Sequence, residues 1–212
     1  MNVYVWVLLA ALAVAAAVDW RAVVTGARDI EVLAKPAFLV LLIALAWLLR
    51  ADTVDYGRFL LAGLVLSLLG DVLLLGRSDR HFLAGLGAFL FAQSCYIAAF
   101  RRVPSDGPAW LPMVLVALAV GAVLVLRVWP LARAAPREGG PVLGYAAVVG
   151  SMAVLAWATG HVVLGLGATL FLFSDALIAY CRYDREPAWG RLVVMVTYHV
   201  GQLLIVLGLM RC

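Results

Sequence analysis

Charged residues are scarce in this chain: they make up 13% of its 212 residues, whereas 66% are hydrophobic. Its mean hydropathy of +1.06 is typical of polytopic membrane proteins and argues against a water-soluble domain. The 16 basic residues exceed the 12 acidic ones. They are scattered through short connections and do not gather on one face, so a nucleic-acid-binding protein is not expected.

Cysteine and histidine are also few, with three of each. The histidines do not show the spacing of metal ligands, and an odd number of cysteines does not suit a disulfide framework. We interpret Cys95, Cys181 and Cys212 as small apolar residues. The sequence therefore predicts neither a metal site nor a disulfide scaffold.

Long apolar runs fill most of the chain. Runs of spanning length, roughly 17 to 25 residues each, lie near 3–18, 33–49, 58–76, 82–100, 110–128, 141–158, 162–181 and 191–210. They predict an all-α fold: one transmembrane domain over residues 1–212, a bundle of about eight helices. Segment 130–141, rich in Pro, Gly and Arg, is predicted to be a solvent loop and a candidate midpoint of the fold. A parallel repeat of two four-helix halves is an organisation that the sequence leaves open.

The distribution of basic residues predicts the orientation of the helices. The first run resembles a signal peptide but lacks a positively charged start, so we expect it to be retained as a helix. Five basic residues lie on one side of the predicted bundle: Arg50, Arg58, Arg101, Arg102 and Arg211. The other side carries Arg21, Arg28, Lys35, Arg77, Arg80, Arg127, Arg133, Arg137, Arg182, Arg185 and Arg191. By the positive-inside rule the second set faces the cytoplasm, and both termini lie outside a bacterial inner membrane.

Two aspartates interrupt the apolar runs. Asp71 lies in LVLSLLGDVLLLG, residues 64–76, and Asp175 lies in GATLFLFSDALIAY, residues 167–180. A carboxylate near the middle of a spanning helix costs roughly 2.5 to 3.5 kcal/mol on insertion scales. We therefore expect both side chains to face protein or a water-filled cavity, and we interpret both as functional.

The two aspartates are predicted to lie at the same depth. They belong to the third and seventh predicted helices, which cross the membrane in the same direction. Asp71 precedes Arg77 and Asp175 precedes Arg182 by a similar number of residues, so each lies roughly 9 to 11 Å from the same face. We predict that their carboxyl groups face each other across a cavity, roughly 3 to 7 Å apart.

Other polar residues in the runs are candidates for lining that cavity. They are Lys35 in the second predicted helix, Gln93 and Tyr96 in the fourth, Tyr145 in the sixth, and Tyr198 and Gln202 in the eighth. Buried amides are also ordinary links between helices, worth about 0.6 kcal/mol on average. Lys35 either binds a phosphate or extends to the nearby membrane surface, and His199 is interpreted as a core residue. A stripe of small residues, Gly63, Ser67 and Gly70, is predicted to let another helix approach Asp71.

These residues resemble the YhhN family of eight-helix membrane proteins, which includes lysoplasmalogenases. The resemblance covers nearly the whole chain and rests on the order of several short motifs. They are Lys35-Pro36, Leu69-Gly70-Asp71, Phe89 through Tyr96 to Phe100, Tyr145, Met152, Gly167-Ala168, Phe171, Ser174-Asp175, Tyr198 and Gln202-Leu203. Where the family often has a histidine in the fourth helix, this chain has Gln93.

The resemblance implies hydrolysis of the vinyl ether bond of a lysoplasmalogen, a lysophospholipid, by water without a cofactor. It implies that Asp71 and Asp175 are catalytic. It also implies that Lys35, Gln93, Tyr96, Tyr145, Ser174, Tyr198 and Gln202 bind the substrate. The chemistry suits two carboxyl groups, because one protonates the vinyl ether carbon while the other stays ionised and stabilises the oxocarbenium ion. Which aspartate has which role is open at this stage.

Two other functions also use intramembrane carboxylates. An intramembrane aspartyl protease needs two of them, but this chain has Leu68-Leu69-Gly70-Asp71 and lacks the first glycine of a Gly-x-Gly-Asp signature. A proton-coupled transporter or a lipid-binding membrane protein is the other alternative. Helices broken by proline would favour a transporter, and few prolines lie inside the apolar runs.

Overall fold

The computed structural model describes residues 3–76, 78–134, 136–183 and 187–212. These residues form nine α-helices and no β-strand. The helices are α1 Val3–Thr25, α2 Arg28–Leu48, α3 Asp55–Leu74, α4 Asp79–Phe100, α5 Trp110–Val123, α6 Trp129–Ala134, α7 Pro136–Ala158, α8 Val162–Tyr183 and α9 Gly190–Leu209. A 3-10 turn, Ala51–Thr53, precedes α3, and a π-helical turn, Leu124–Val128, joins α5 to α6.

Eight helical segments of the described chain are long and apolar enough to cross a membrane, which confirms the predicted all-α membrane fold. The short helix α6 is additional, so the predicted seventh and eighth helices are α8 and α9. Large apolar side chains cover the outside of the bundle; Leu33 is 74% exposed and Leu111 is 72% exposed. Such a surface belongs in lipid, and the chain is an integral membrane protein.

Seven of the long helices form a closed ring. Around it, α1 packs on α2, α2 on α3, α3 on α4, α4 on α7, α7 on α8, α8 on α9, and α9 on α1. Helix α5 packs on α7 outside this ring and has no buried residue among those described. The two predicted halves are therefore not equivalent, because α1 closes the ring while its counterpart α5 does not.

Small residues bring helices close in the two tightest pairs, α3 with α4 and α8 with α9. A Cβ atom on Gly63 would lie 2.4 Å from the ring of Tyr96, so only glycine leaves room for that ring. A Cβ atom on Gly201 would lie 3.0 Å from the backbone oxygen of Gly167. The predicted approach of a helix to the small-residue stripe is confirmed, and the approaching helix is α4.

Two predicted boundaries differ in a way that matters for the site. Helix α1 continues past position 18 to Thr25, where Gly26 adopts a left-handed conformation with φ +70° that ends the helix. Helix α2 begins at Arg28 instead of near residue 33. Lys35 therefore lies two turns inside the helix.

The loop predicted at 130–141 is mostly helical. It contains α6 and the start of α7. Pro130 and Pro136 stand in the first turns of these helices, where no backbone N–H is needed for the helical hydrogen bonds. Arg77 and Arg185, which contributed to the predicted orientation, lie outside the described residues.

Candidate active site

The first polar cluster surrounds Asp71, which lies near the end of α3 and is 1% exposed. The Lys35 Nζ atom from α2 lies 3.3 Å from its Oδ1 atom. The Tyr198 hydroxyl from α9 donates to its Oδ2 atom at 3.0 Å. A buried carboxylate beside an ammonium group and a hydroxyl donor has the partners that its ionised form needs.

A chain of hydrogen bonds extends from Tyr198 into the ring. The Gln202 Nε2 atom donates to the Tyr198 hydroxyl at 3.4 Å, and the Tyr96 hydroxyl donates to Gln202 Oε1 at 2.8 Å. The Ser67 hydroxyl lies 3.3 Å from the Tyr96 hydroxyl. These buried groups join α3, α4 and α9 and hold Tyr198 in position against Asp71.

The second polar cluster surrounds Asp175 on α8. The Tyr145 hydroxyl from α7 donates to Asp175 Oδ2 at 2.7 Å, and Gln93 Nε2 from α4 donates to the same oxygen at 2.9 Å. Gln93 Nε2 also donates to the Tyr145 hydroxyl at 2.9 Å. Among the described side chains, none donates to Oδ1 and no cation pairs with Asp175. Its surroundings therefore differ from those of Asp71.

Asp175 lies at the wall of a pocket of about 50 Å³. The pocket is lined by Leu74, Phe82, Leu86, Phe89, Val142, Tyr145, Asp175, Ile178 and Ala179. This volume holds a few water molecules, whereas sites for larger ligands measure about 300 to 1,000 Å³. An apolar chain would enter only if side chains at the mouth moved.

Aromatic rings stand between the two clusters. Phe89, from the pocket wall, packs edge-to-face on Tyr198 with ring centroids 5.9 Å apart, and Phe171 packs on Tyr198 at 5.5 Å. The Phe89 ring also covers Gly70, the residue before Asp71. No hydrogen bond between described residues links the two clusters. It stays a prediction that the two carboxyl groups face each other across a shared cavity, roughly 3 to 7 Å apart.

Two candidate residues have surroundings that the sequence did not indicate. Lys35 was predicted to bind a phosphate or to extend to the nearby membrane surface, but it lies two turns inside α2 and is only 6% exposed. Its ammonium group faces Asp71 instead. The Ser174 hydroxyl donates to the backbone oxygen of Val194 at 3.1 Å, so it links α8 to α9.

A third polar cluster was missed by the sequence analysis. Asp19 in α1 is fully buried, and its Oδ2 atom lies 4.0 Å from His199 Nε2. Glu31 accepts two hydrogen bonds from Arg191 Nη2, at 2.8 and 3.0 Å. The sequence did contain a signal for this cluster, because residues 22–24, which follow Arg21, are apolar and fit a helix α1 that continues beyond Asp19. Within the described residues, no three His, Cys, Asp or Glu side chains are grouped closely enough to hold a metal ion.

Comparisons with known proteins agree with this architecture. The profile of the YhhN family matches residues 30–209. Lysoplasmalogenase TMEM86B of Homo sapiens is 33% identical over 156 residues, which cover 74% of this chain and 65% of the relative. The protein of the same name from Mus musculus is 31% identical over 153 residues, covering 70% of this chain and 62% of the relative.

A bacterial relative is matched over more of its length. The uncharacterized membrane protein YhhN of Escherichia coli O157:H7 is 30% identical over 186 residues, covering 82% of this chain and 85% of the relative. The chain spans slightly less than two thirds of the length of the mammalian relatives. No solved structure matches significantly.

Proposed function

Because the chain belongs to the YhhN family, we propose that it is a membrane hydrolase that cleaves the vinyl ether bond of lysoplasmalogens. The products would be a fatty aldehyde and a glycerophospho-base. The names of the mammalian relatives support this substrate. The different surroundings of Asp71 and Asp175 support the chemistry, and they are the observation on which the proposal rests.

The hydrogen-bond partners favour Asp175 as the acid. Both of its donors, Tyr145 and Gln93, reach Oδ2, which is the arrangement of a neutral carboxyl whose carbonyl oxygen accepts both bonds. The proton would then be on Oδ1. Asp71 is the group that stays ionised, because Lys35 balances its charge and Tyr198 donates to it.

In the proposed reaction, Asp175 transfers its Oδ1 proton to the β-carbon of the vinyl ether. This step forms an oxocarbenium ion, and the negative charge of Asp71 stabilises it. A water molecule then adds to the α-carbon and gives its proton to the Asp175 carboxylate, which thereby regains the acid form. The resulting hemiacetal breaks into the aldehyde and the alcohol, so protons balance over one turnover and no cofactor takes part.

The pocket beside Asp175 offers the polar and apolar contacts that such a substrate needs, once side chains at its mouth move to admit it. Tyr145 and Asp175 supply the polar groups, while Leu74, Phe82 and Leu86 supply apolar contacts. The alkenyl chain would lie along these apolar residues. We place the protein in a bacterial cell membrane with both termini outside, because of its basic connections.

One assay tests this proposal against the alternatives. The protein, purified in detergent, is given an alkenyl lysophospholipid, the corresponding acyl lysophospholipid and an unstructured peptide. We expect aldehyde release from the first substrate alone. Cleavage of the peptide would support an intramembrane protease, and no product from any substrate would overturn the hydrolase proposal in favour of a binding or transport function.

A further inference from the structure

Asp19 and His199 form an unexplained buried pair beside the candidate site. Asp19 is 0% exposed and His199 is 1% exposed. Both carboxyl oxygens of Asp19 and the Nε2 atom of His199 are buried without a hydrogen-bond partner among the described residues. Buried polar groups normally have partners. The charged groups around Asp19 come from α2, α3 and α9: they are Lys35, Glu31, Asp71 and Arg191.

The tautomer of His199 follows from its partner on α1. The Trp20 indole Nε1 atom lies 3.1 Å from His199 Nδ1. Because an indole N–H can only donate, Nδ1 must accept and carries no proton. The single ring proton is then on Nε2, the atom that faces Asp19, and the imidazole is neutral. Phe38 stacks on the ring at a centroid distance of 4.0 Å and fixes its plane.

A count of charges shows that, among the described residues, Asp19 has no cation of its own. The cluster holds three carboxyl groups, Asp19, Glu31 and Asp71, and two basic side chains, Lys35 and Arg191. Arg191 pairs with Glu31 at 2.8 Å and Lys35 pairs with Asp71 at 3.3 Å. An unpaired carboxylate at full burial is strongly unfavourable, whereas a neutral carboxyl group is tolerated.

We propose that Asp19 is a positioning residue that holds a proton and thereby leaves the Lys35 ammonium group to Asp71. This role rests on the proposed function, because Asp71 is the ionised carboxylate of the reaction. When Asp19 loses its proton, two buried carboxylates compete for one ammonium group. The pairing of Lys35 with Asp71 then weakens. Asp19 lies in α1, before residues 30–209 that the family profile matches.

The protonation of Asp19 can be measured without any assay of activity. Infrared spectra of the purified protein distinguish the carbonyl stretch of a carboxylic acid from the stretches of a carboxylate. We expect the spectrum of Asp19→Asn, at neutral pH, to lack one carboxylic acid band of the wild type. The control is Asp106→Asn, since Asp106 is also paired with a histidine, His161, at 3.1 Å but is 74% exposed. That change should remove carboxylate bands instead.

Loss of carboxylate bands in Asp19→Asn would overturn the proposal, because Asp19 would then be ionised. If Asp19→Asn does not fold, Asp19→Ser gives the same comparison. A titration of the wild type gives a further check, since its carboxylic acid bands should decrease as the pH rises. If no such band decreases in the wild type and none is missing in the Asp19→Ser spectrum, the proposal is wrong.

The positioning role is tested by the pH profile of aldehyde release. We expect the ratio of turnover at alkaline pH to turnover at neutral pH to be higher in Asp19→Asn than in the wild type, because an amide cannot compete for Lys35. Asp106→Asn should keep the wild-type ratio. A purely structural role for Asp19 would change stability but leave this ratio unchanged, and that result would refute positioning. If the wild type releases no aldehyde, the proposed function fails while the infrared result still decides the state of Asp19.

Discussion

Replacement of Asp175 by asparagine isolates the acid role from the packing of the site. The amide oxygen can take the place of Oδ2 and accept the hydrogen bonds that Tyr145 and Gln93 donate at 2.7 and 2.9 Å. The amide nitrogen then takes the place of Oδ1 beside the pocket. Size and hydrogen bonds are kept, and only the transferable proton is lost. We therefore expect Asp175→Asn to fold and insert like the wild type.

The expected loss of turnover can be stated as a free energy. General acid–base catalysis contributes about 10² to 10⁴ in rate, which corresponds to roughly 2.7 to 5.5 kcal/mol of transition-state stabilisation. Asp71→Asn should lose activity in the same range, because charge stabilisation of a cation is a comparably large contribution. Turnover is measured as aldehyde release by purified protein, with the thermal midpoint in detergent as the control for folding.

Retention of more than about a tenth of wild-type turnover by either folded variant would falsify the two-aspartate mechanism, because the loss would lie below this range. A large loss in Asp71→Asn with full activity in Asp175→Asn would be equally informative. The acid would then have to be found within the cluster around Asp71, and the assignment of roles from hydrogen-bond partners would be wrong.

Three further changes test other parts of the structure. Lys35→Met leaves Asp71 buried without its cation, so we expect a loss of about 3 to 5 kcal/mol in the free energy of unfolding. The double variant Lys35→Met with Asp71→Leu should be more stable than Lys35→Met alone. Equal stability of these two variants would contradict the ion pair. Tyr145→Phe removes one donor to Asp175 and should lower turnover while the thermal midpoint changes little, and an unchanged turnover would show that this hydroxyl does not position the acid. Gly201→Ala places a methyl group 3.0 Å from the backbone oxygen of Gly167. It should lower the free energy of unfolding by roughly the 1 to 3 kcal/mol typical of overpacking, measured as a lower thermal midpoint. Gly87→Ala, where a Cβ atom meets nothing within 4 Å, is the control and should leave the midpoint unchanged.

Composition was sufficient to predict the class of fold, and the pattern of apolar runs was sufficient to select Asp71 and Asp175 as candidate residues. A charge inside an apolar run is visible in one dimension, so Asp71 and Asp175 could be identified without knowing any neighbour. Their partners could be named only as a set. Lys35 pairs with Asp71 because α2 lies beside α3. Gln93 reaches Asp175 because α7 lies beside both α4 and α8. That order depends on packing between distant segments.

Asp19 was missed for a local reason. The pair Asp19 and Arg21 looks like the polar end of a spanning run, yet α1 continues for another turn to Thr25. Arg21 is exposed whereas Ala22 and Val23 are buried, so the helix passes Arg21 by pointing its guanidinium group outward. Glycine is the residue type that most often ends a helix in a left-handed conformation. Gly26, which adopts a positive φ, was therefore the better indication in the sequence of where α1 ends.

The position of α5 explains why the charged groups gather where they do. With α5 outside the ring, α4 packs directly on α7, and this contact brings Gln93 to Tyr145 and Asp175. On the other side of the ring, α1 packs on both α2 and α9, and this places Asp19 beside His199. A symmetric ring of eight helices would have separated α4 from α7 by the width of a helix, about 8 to 10 Å. The departure from symmetry is therefore what allows the surroundings of Asp71 and Asp175 to differ, and the proposed reaction requires that difference.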